Sequence, residues 1–388
     1  MKIVHIAPNA VYNDYWGYQD NLLPKYHRKA GHDVTVIVPN KQHNGGQIVS
    51  TECVDYMLND GVRVIRLQHK KYIHRILSNL NSKLEVYPYL EKIKPDFVFF
   101  HGLCSSSILD VVRYKKRINP KCVIVQDNHA DYYNANERTG IRGKLIRGYY
   151  RYIARRVASD ISKVYGVTPW RKQYAEDYFK ISPQKTDVLI MGADDELIRF
   201  DQKEEISARI KKENNILPSD FVIVTGGKID RTKNIHLLMR AVQELAVPEI
   251  KLIVFGQPND EMVSEIKFLS QSDNISFVGW IPSNKVYDYF LTADLGVFPG
   301  THSVLWEQAC ACGLPMLFKD WEGMHHVFVN GNSEFLDQAT VEEIKEKLLV
   351  IFKDKQKYSA MKQAAETCKK DFFYSEIAKK AIECSVEK

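Results

Sequence analysis

Apolar and polar positions along the chain fall into two series, each alternating short apolar runs with longer stretches of helical period. In the first series KIVHIAP, DVTVIVP, VRVIRL, FVFFHG and CVIVQDNH are rich in β-branched and aromatic residues, and all but VRVIRL end at Gly, Pro or His. That marks them as strands. They are apolar on both faces, as the strands of a parallel sheet covered by helices are. Between the first two, DNLLPKYHRKAGH carries helical spacing up to a glycine stop. A second series opens near residue 219: DFVIVTGG, the helical NIHLLMRAVQEL, IKLIVFG, ISFVGW, the helical NKVYDYFLTA and LGVFPG. The polar stretch ELIRFDQKEEISARIKKENNILPS, from Glu196, reads as the join. The pattern predicts two α/β domains, 1–197 and 198–372, with a C-terminal helix in 373–388 packing back on the first. Ligands of such domains sit beyond the carboxyl ends of the strands, so the expected site is a cleft between the two.

Size and composition fit this picture: 388 residues, 45% apolar and 26% charged, suit a globular protein of two domains. No apolar run reaches the roughly 18 to 20 residues of a membrane span. The opening MKIVHIAP reads as a strand rather than a leader. Seven cysteines without paired spacing point to a reducing cytoplasm, and Cys310 and Cys312 read as small core residues. The net charge of +6 is unevenly spread. Residues 1–195 hold 30 Lys and Arg against 19 Asp and Glu, while the remainder holds 24 against 29. A basic half predicts an anionic partner.

Much of that charge lies in RTGIRGKLIRGYYRYIARR, from Arg138 to Arg156, with seven cations and no acid. Drawn as a helix, it puts Ile141, Leu145, Tyr149, Ile153 and Val157 on one stripe and Arg147, Arg151 and Arg155 on another, with Arg142 and Lys144 beside them. Two readings stand: a peripheral surface for an anionic membrane or acceptor, or a helix whose apolar stripe packs on its own sheet. Gly143 and Gly148 oppose the helix by about 1 kcal/mol each. No nucleic-acid-binding motif accompanies the charge, so nucleic acid is not an expected partner.

The segment VIVTGGKIDRTKNIHLLM is the richest in chemistry. A strand ends at Gly226-Gly227, and Lys228 and Lys233 flank a tight loop before a helix. Glycines admit a ligand close to the backbone, and two ammonium groups beside helix N–H groups suit a diphosphate. The same residues also fit a plain strand–turn–helix with exposed lysines. The spacing is neither a Walker A loop nor a Gly-x-Gly-x-x-Gly fingerprint, so ATP hydrolysis and nicotinamide chemistry lack support. In GVFPGTHSVLWEQACACGLPM a strand ends at Pro299-Gly300, and a tip of Thr301, His302 and Ser303 leads through Val304 into a run of small and apolar residues holding one acid, Glu307. Asp-x-Asp, which elsewhere carries a divalent metal on a diphosphate, does not occur in the sequence.

These segments, with AGHDVTVIVP, VTPWRKQYAEDYF, VLIMGADDELIRF, NISFVGWIPSNKVYDYFLTADLGVFPG and EQACACGLPMLF, resemble in this order the retaining GT-B glycosyltransferases of family 4 (glycosyl transferases group 1). The resemblance implies a GT-B-like α/β fold of two Rossmann-like domains facing across a cleft. It implies an enzyme (EC 2.4) moving a sugar from a nucleotide-diphosphate donor, UDP ahead of GDP, to a saccharide or lipid-linked acceptor. Lys228 and Lys233 would hold the diphosphate, Glu307 the ribose hydroxyls, and backbone at Gly279, Trp280 and Ile281 the base. Gly227, and Gly17 after the first strand, would lie near the phosphates. His129, just past CVIVQDN, would reach the donor sugar, or else be a structural histidine on Asp127 or Asp131. The family pattern has a second glutamate where Pro299 stands here. His302, with Ser303 and Val304, would replace its sugar contacts, or His302 would be a surface-loop histidine. His101 reads as packing, and His325 and His326 lack partners at ligand spacing. No metal and no cofactor are expected. The setting implied is bacterial surface polysaccharide or glycolipid synthesis, in the cytoplasm or on the inner face of the membrane. A nucleotide-sugar epimerase or hydrolase on this fold, and a non-catalytic basic membrane-binding module, are the alternatives.

Overall fold

A computed structural model of the chain describes residues 1–71, 82–133 and 140–385. It divides into two units, Met1–Ile190 with Ile377–Lys388, and Met191–Glu376.

In chain order the first unit contains β1 (Lys2–Ile6), α1 (Gln19–Lys29), β2 (Asp33–Pro39), the hairpin of β3 (Lys41–Asn44) and β4 (Gln47–Ser50), β5 (Asp55–Met57) and β6 (Arg63–Leu67). There follow the pair β7 (Lys70–Lys71) and β8 (Ser82–Lys83), α2 (Tyr87–Ile93), β9 (Phe97–Phe100), α3 (Ile108–Arg117) and β10 (Val123–Asn128). The series ends with α4 (Gly140–Val157), β11 (Lys163–Gly166), α5 (Pro169–Asp177) and β12 (Thr186–Val188). The main sheet has the order β12-β11-β10-β9-β1-β2-β6-β5, parallel except at β5. The chain lays strands on one side of β1 and then the other, so the order reverses between β1 and β9. Val4, Ile6, Val98, Phe100 and Ile124 form a core with Leu90, Val111, Ile153 and Val157 from α2, α3 and α4. Alternation along β1 and β9 sends His5 and Phe99 to the opposite face, where α1 lies and His27 meets His5.

Helix α4 forms despite its glycines, and it buries the later part of the expected stripe (Tyr149 in part, Ile153, Val157) but not its start. Ile146, Ile153, Ala154 and Val157 are buried, whereas Ile141 is 81% and Leu145 63% exposed. Strict four-residue steps drift about 40° each around a helix of 3.6 residues per turn, so the stripe drawn from 141 to 157 winds off the core. Arg138 and the side chain of Arg142 lie outside the described residues. Among the described residues no helix is long and apolar enough to cross a membrane.

The second unit contains α6 (Lys203–Glu213), β13 (Phe221–Ile229), α7 (Ile235–Leu245), β14 (Ile250–Pro258), α8 (Val263–Leu269), β15 (Ile275–Gly279) and α9 (Val286–Thr292). It continues with β16 (Leu295–Phe298), α10 (Leu305–Ala311), β17 (Met316–Lys319), β18 (Ser333–Leu336), α11 (Val341–Lys353) and α12 (Lys355–Cys368); α13 (Tyr374–Ile382) begins in this unit and from Ile377 belongs to the first. Its sheet, β15-β14-β13-β16-β17-β18, is wholly parallel. This is the doubly wound order with its reversal between β13 and β16.

The polar stretch taken as a join is largely helix α6. Ile206 and Ile210, one turn apart, are buried, and Arg199 and Arg209 both reach Asp288 of α9. The division of the chain falls at Met191 and Ile377 rather than at 198 and 373. Ala193 pairs with Phe373, and the Ser375 N–H donates to Asp195, which ties these short segments together within the second unit. All seven cysteines are free, and Cys310 and Cys312 are buried.

Candidate functional site

The reversal in the second unit brings together the carboxyl ends of β13 and β16. A Cβ on Gly300 would stand 2.4 Å from Lys233 Cα, and one on Gly227, whose φ is +108°, would stand 2.8 Å from Leu305 Cδ1. Glycine is therefore what lets the loop after β13, the loop after β16 and the start of α10 close on one another. Four bonds lock the approach. The Thr301 N–H donates to Thr232 O at 3.0 Å, Asn234 Nδ2 donates to Pro299 O at 3.1 Å, and Lys233 Nζ donates to Thr301 O and His302 O at 2.7 and 3.0 Å. Burial pushes the Lys233 ammonium below its ordinary pKa. Lys228 differs: it is exposed and lies 3.0 Å from Asp230 Oδ2. The strand does not end at Gly226-Gly227 but runs on to Ile229, so Lys228 still belongs to β13 and faces solvent, while Lys233 is the fastener in the turn that follows.

Glu307 sits in the first turn of α10 and is fully buried. Its Oε1 accepts from His302 Nε2 at 2.7 Å and from His326 Nε2 at 2.8 Å. Its Oε2 is buried with no partner among the described residues. Burial opposes ionisation, but the two histidines outweigh it and hold the carboxyl at about 2, so Glu307 is a carboxylate. His302 is thus no surface-loop histidine; its side chain is 6% exposed. His326 was legible only as half of a His-His pair, since nineteen residues of chain separate it from Glu307. Its neighbour His325 is exposed on Asp320. Among the described residues His302, Glu307 and His326 are the group close enough to share a cation. Their contacts of 2.7 and 2.8 Å are hydrogen-bond lengths, whereas two ligands about 2.0 Å from one tetrahedral zinc stand about 3.3 Å apart. The residues fit a hydrogen-bonded trio better than a metal centre.

Ser303 and Val304 lead into α10, their carbonyls accepting from the Trp306 and Gln308 N–H groups. Gly279, with φ +72°, ends β15, an edge strand two places from β13; Trp280 beside it is 69% exposed.

In the first unit His129 follows β10 with its side chain 45% exposed, its Nε2 3.3 Å from Asp127 Oδ2. Asp127 is fully buried; its Oδ1 accepts from the Gly102 N–H at 2.6 Å and its Oδ2 from His101 Nδ1 at 2.9 Å. Burial would raise this carboxyl, but His129 and His101 hold it well below the carboxylate range. Asp131 instead takes Arg171. His101, expected as packing, is buried and bonded on both ring nitrogens. Gly17 is exposed and a Cβ there would meet nothing, so no close approach requires it. On α4, Lys144 and Arg155 are exposed and Arg147 and Arg151 half-buried.

No curated protein sequence matches the chain. The solved structures it resembles include three of instructive kinds. One, described as Anabaena Alr3699/HepE in complex with UDP, aligns over 100% of both chains at 15% identity and TM-score 0.68. A second is WaaG, a glycosyltransferase involved in lipopolysaccharide biosynthesis, at 15% identity over 97% of this chain and 98% of that one, TM-score 0.64. A third is a putative UDP-N-acetylglucosamine 2-epimerase from Listeria monocytogenes, at 12% identity over 98% and 95%, TM-score 0.59. At these identities the likeness establishes the fold, two Rossmann-like domains. Residues 22–197 match the family described as Glycosyltransferase Family 4, and residues 206–367 the one described as Glycosyl transferases group 1. Between them the two matches take in most of the chain, and it belongs to the GT-B glycosyltransferases of the family 4 type.

Proposed function

We propose that this nucleotide-sugar glycosyltransferase transfers its sugar with retention at the anomeric carbon, from a UDP donor ahead of a GDP one, and without a metal. The observation that carries the reading is the β13–β16 reversal, where an exposed lysine, a half-buried lysine and a carboxylate with one oxygen unpartnered among the described residues come together. Lys228 and Lys233 supply the positive charge that stabilises a departing diphosphate. Glu307 Oε2 accepts a ribose hydroxyl, a charge-assisted bond. Gly279, Trp280 and Ile281 border the base. His129, with a half-exposed ring, contacts the donor sugar. The departing phosphate takes the acceptor proton on the same face of the sugar, so no protein nucleophile is assigned. UDP in the Anabaena structure supports the choice of base, and the role of WaaG supports a bacterial surface glycolipid or polysaccharide as product.

The test is calorimetric titration with UDP and GDP, then transfer from a panel of donors with EDTA present. Tighter UDP binding and EDTA-resistant transfer with retained configuration are expected. Activity lost to EDTA and restored by Mg²⁺ would overturn the metal-independent part. Donor turnover without any acceptor would favour the epimerase or hydrolase reading, which the shared fold of the Listeria protein keeps in view.

The acceptor is lipid-linked in this reading, and α4 meets an anionic membrane. Ile141, Leu145 and Tyr152, exposed at intervals of four and seven residues, stand among Lys144, Arg147, Arg151 and Arg155. Each cation near such a surface contributes about 1 kcal/mol. Co-sedimentation with anionic but not neutral vesicles is expected, and its loss in an Ile141→Ser, Leu145→Ser protein.

A further inference from the structure

Three buried histidines of the first unit form a continuous hydrogen-bonded row. His101 Nδ1 lies 2.9 Å from Asp127 Oδ2, His101 Nε2 lies 3.2 Å from His5 Nδ1, His5 Nε2 lies 3.0 Å from His27 Nδ1, and His27 Nε2 lies 2.9 Å from Ala378 O. The rings come from the loop after β9, from β1 and from α1. All six ring nitrogens are used. Phe99 stacks on the row, its ring centroid 4.7 Å from that of His101 and 5.5 Å from that of His5. His5 is 0% and His27 1% exposed.

Counting protons fixes the charge of this row. Each of the four contacts needs one proton: with none, two lone pairs face each other, and with two, N–H groups collide. The far end is a carbonyl, which only accepts, so His27 Nε2 carries a proton. His27 Nδ1 then accepts, His5 Nε2 donates, His5 Nδ1 accepts, and His101 Nε2 donates. His101 must also donate from Nδ1 to Asp127. Three neutral imidazoles carry three protons, and the row needs four.

We infer that the row stores one extra proton, held as an imidazolium at His101 against the Asp127 carboxylate, and that His101, His5 and His27 thereby act as positioning residues for His129. A buried row with one added proton and one carboxylate is neutral as a set, which removes much of the cost of burying either charge alone. Burial pushes His5 and His27 well below the ordinary histidine range, His27 to about 4, which leaves those two rings neutral. The ionised Asp127 then keeps an acceptor for the His129 Nε2–H, fixing that ring's tautomer and leaving its Nδ1 as the acceptor on the other edge. The other titratable groups facing the row are Asp20 in the first turn of α1, whose carboxyl burial pushes up, and His32, whose ring centroid is 6.3 Å from that of His27. The positioning role rests on the reading of His129 as a sugar contact; the stored proton does not.

The experiment is nitrogen-15 NMR of histidine-labelled full chain at pH 7.5, with resonances assigned by single substitution. The expected result is one ring, His101, protonated on both nitrogens, with His5 and His27 neutral and protonated at Nε2. His101 with a single ring proton would overturn the stored proton. His27→Phe removes the carbonyl-capped end and with it the need for a fourth proton, so His101 should carry a single ring proton in that variant. The alkaline limb of the transfer rate should then move to lower pH, with kcat falling several-fold and UDP affinity unchanged. His27→Gln, which can still donate to Ala378 O and accept from His5, should restore the profile and serves as the folded control. A His27→Phe profile that keeps the wild-type alkaline limb would overturn the positioning role. A wild-type protein with the imidazolium but no glycosyl transfer would sink only the functional reading.

Discussion

Asp127 and Glu307 occupy like places in the two units. Each is a fully buried carboxylate, Asp127 at the end of β10 and Glu307 in the first turn of the helix after β16, and each is met by two histidines on one oxygen. The second oxygen separates them. Asp127 Oδ1 accepts from the Gly102 N–H at 2.6 Å, whereas Glu307 Oε2 has no partner among the described residues. A saturated carboxylate has only neighbours to hold in place; one with an unspent lone pair still has a donor to find. On the proposed function, Asp127 would belong to the framework behind a site and Glu307 to the site itself.

The widest test of this contrast is stability. Asp127→Asn breaks a buried pairing and leaves His101 facing an amide, so a loss of about 3 to 5 kcal/mol is expected in denaturant unfolding. Glu307→Gln keeps an oxygen for one histidine and should cost less, while weakening UDP binding at least tenfold by calorimetry. Equal stability losses with unchanged UDP affinity would erase the distinction. Next, Lys233→Ala should lower transfer by about a hundredfold, the usual cost of one charge-stabilising donor, with a larger effect than Lys228→Ala on melting, because only Lys233 fastens the Thr301 and His302 carbonyls. A smaller effect concerns acid. Glu307 is held below its ordinary 4.5 at about 2, so its contribution is present above pH 4.5 and fades as pH falls toward 2. Glu307→Gln should flatten that part of the pH–stability curve; an unchanged slope would mean that other carboxylates set it.

The strands were legible because a parallel sheet covered on both faces needs runs such as FVFF and KLIVF with no polar alternation. The segment that reaches the reversal point drew notice for its glycines and lysines after DFVIVT, but the strand order itself depends on pairings that no local pattern carries. What stayed hidden depends on distance along the chain. Nothing local marks His326 as the partner of Glu307, or His5 and His27 as partners of each other; a lone histidine in an apolar strand reads as packing until the neighbouring elements are placed. In α4 the composition suggested the helix, but the buried face depended on fine angular drift that a four-residue ruler misses. In α6 the two apolar positions, Ile206 and Ile210, were outnumbered by charge, so an amphipathic helix passed for a linker.

The bond from His27 to the Ala378 carbonyl spans 351 residues of sequence. During synthesis the N-terminal unit must therefore wait: its last segment, from Ile377, emerges only after all of Met191–Glu376 has been made. At about 5 to 20 residues per second that delay is on the order of 10 to 40 s. The second unit, whose sheet is drawn from one unbroken stretch of chain, can fold during the wait. The first to be translated is the last to be finished, and until then the carbonyl to which His27 donates does not exist.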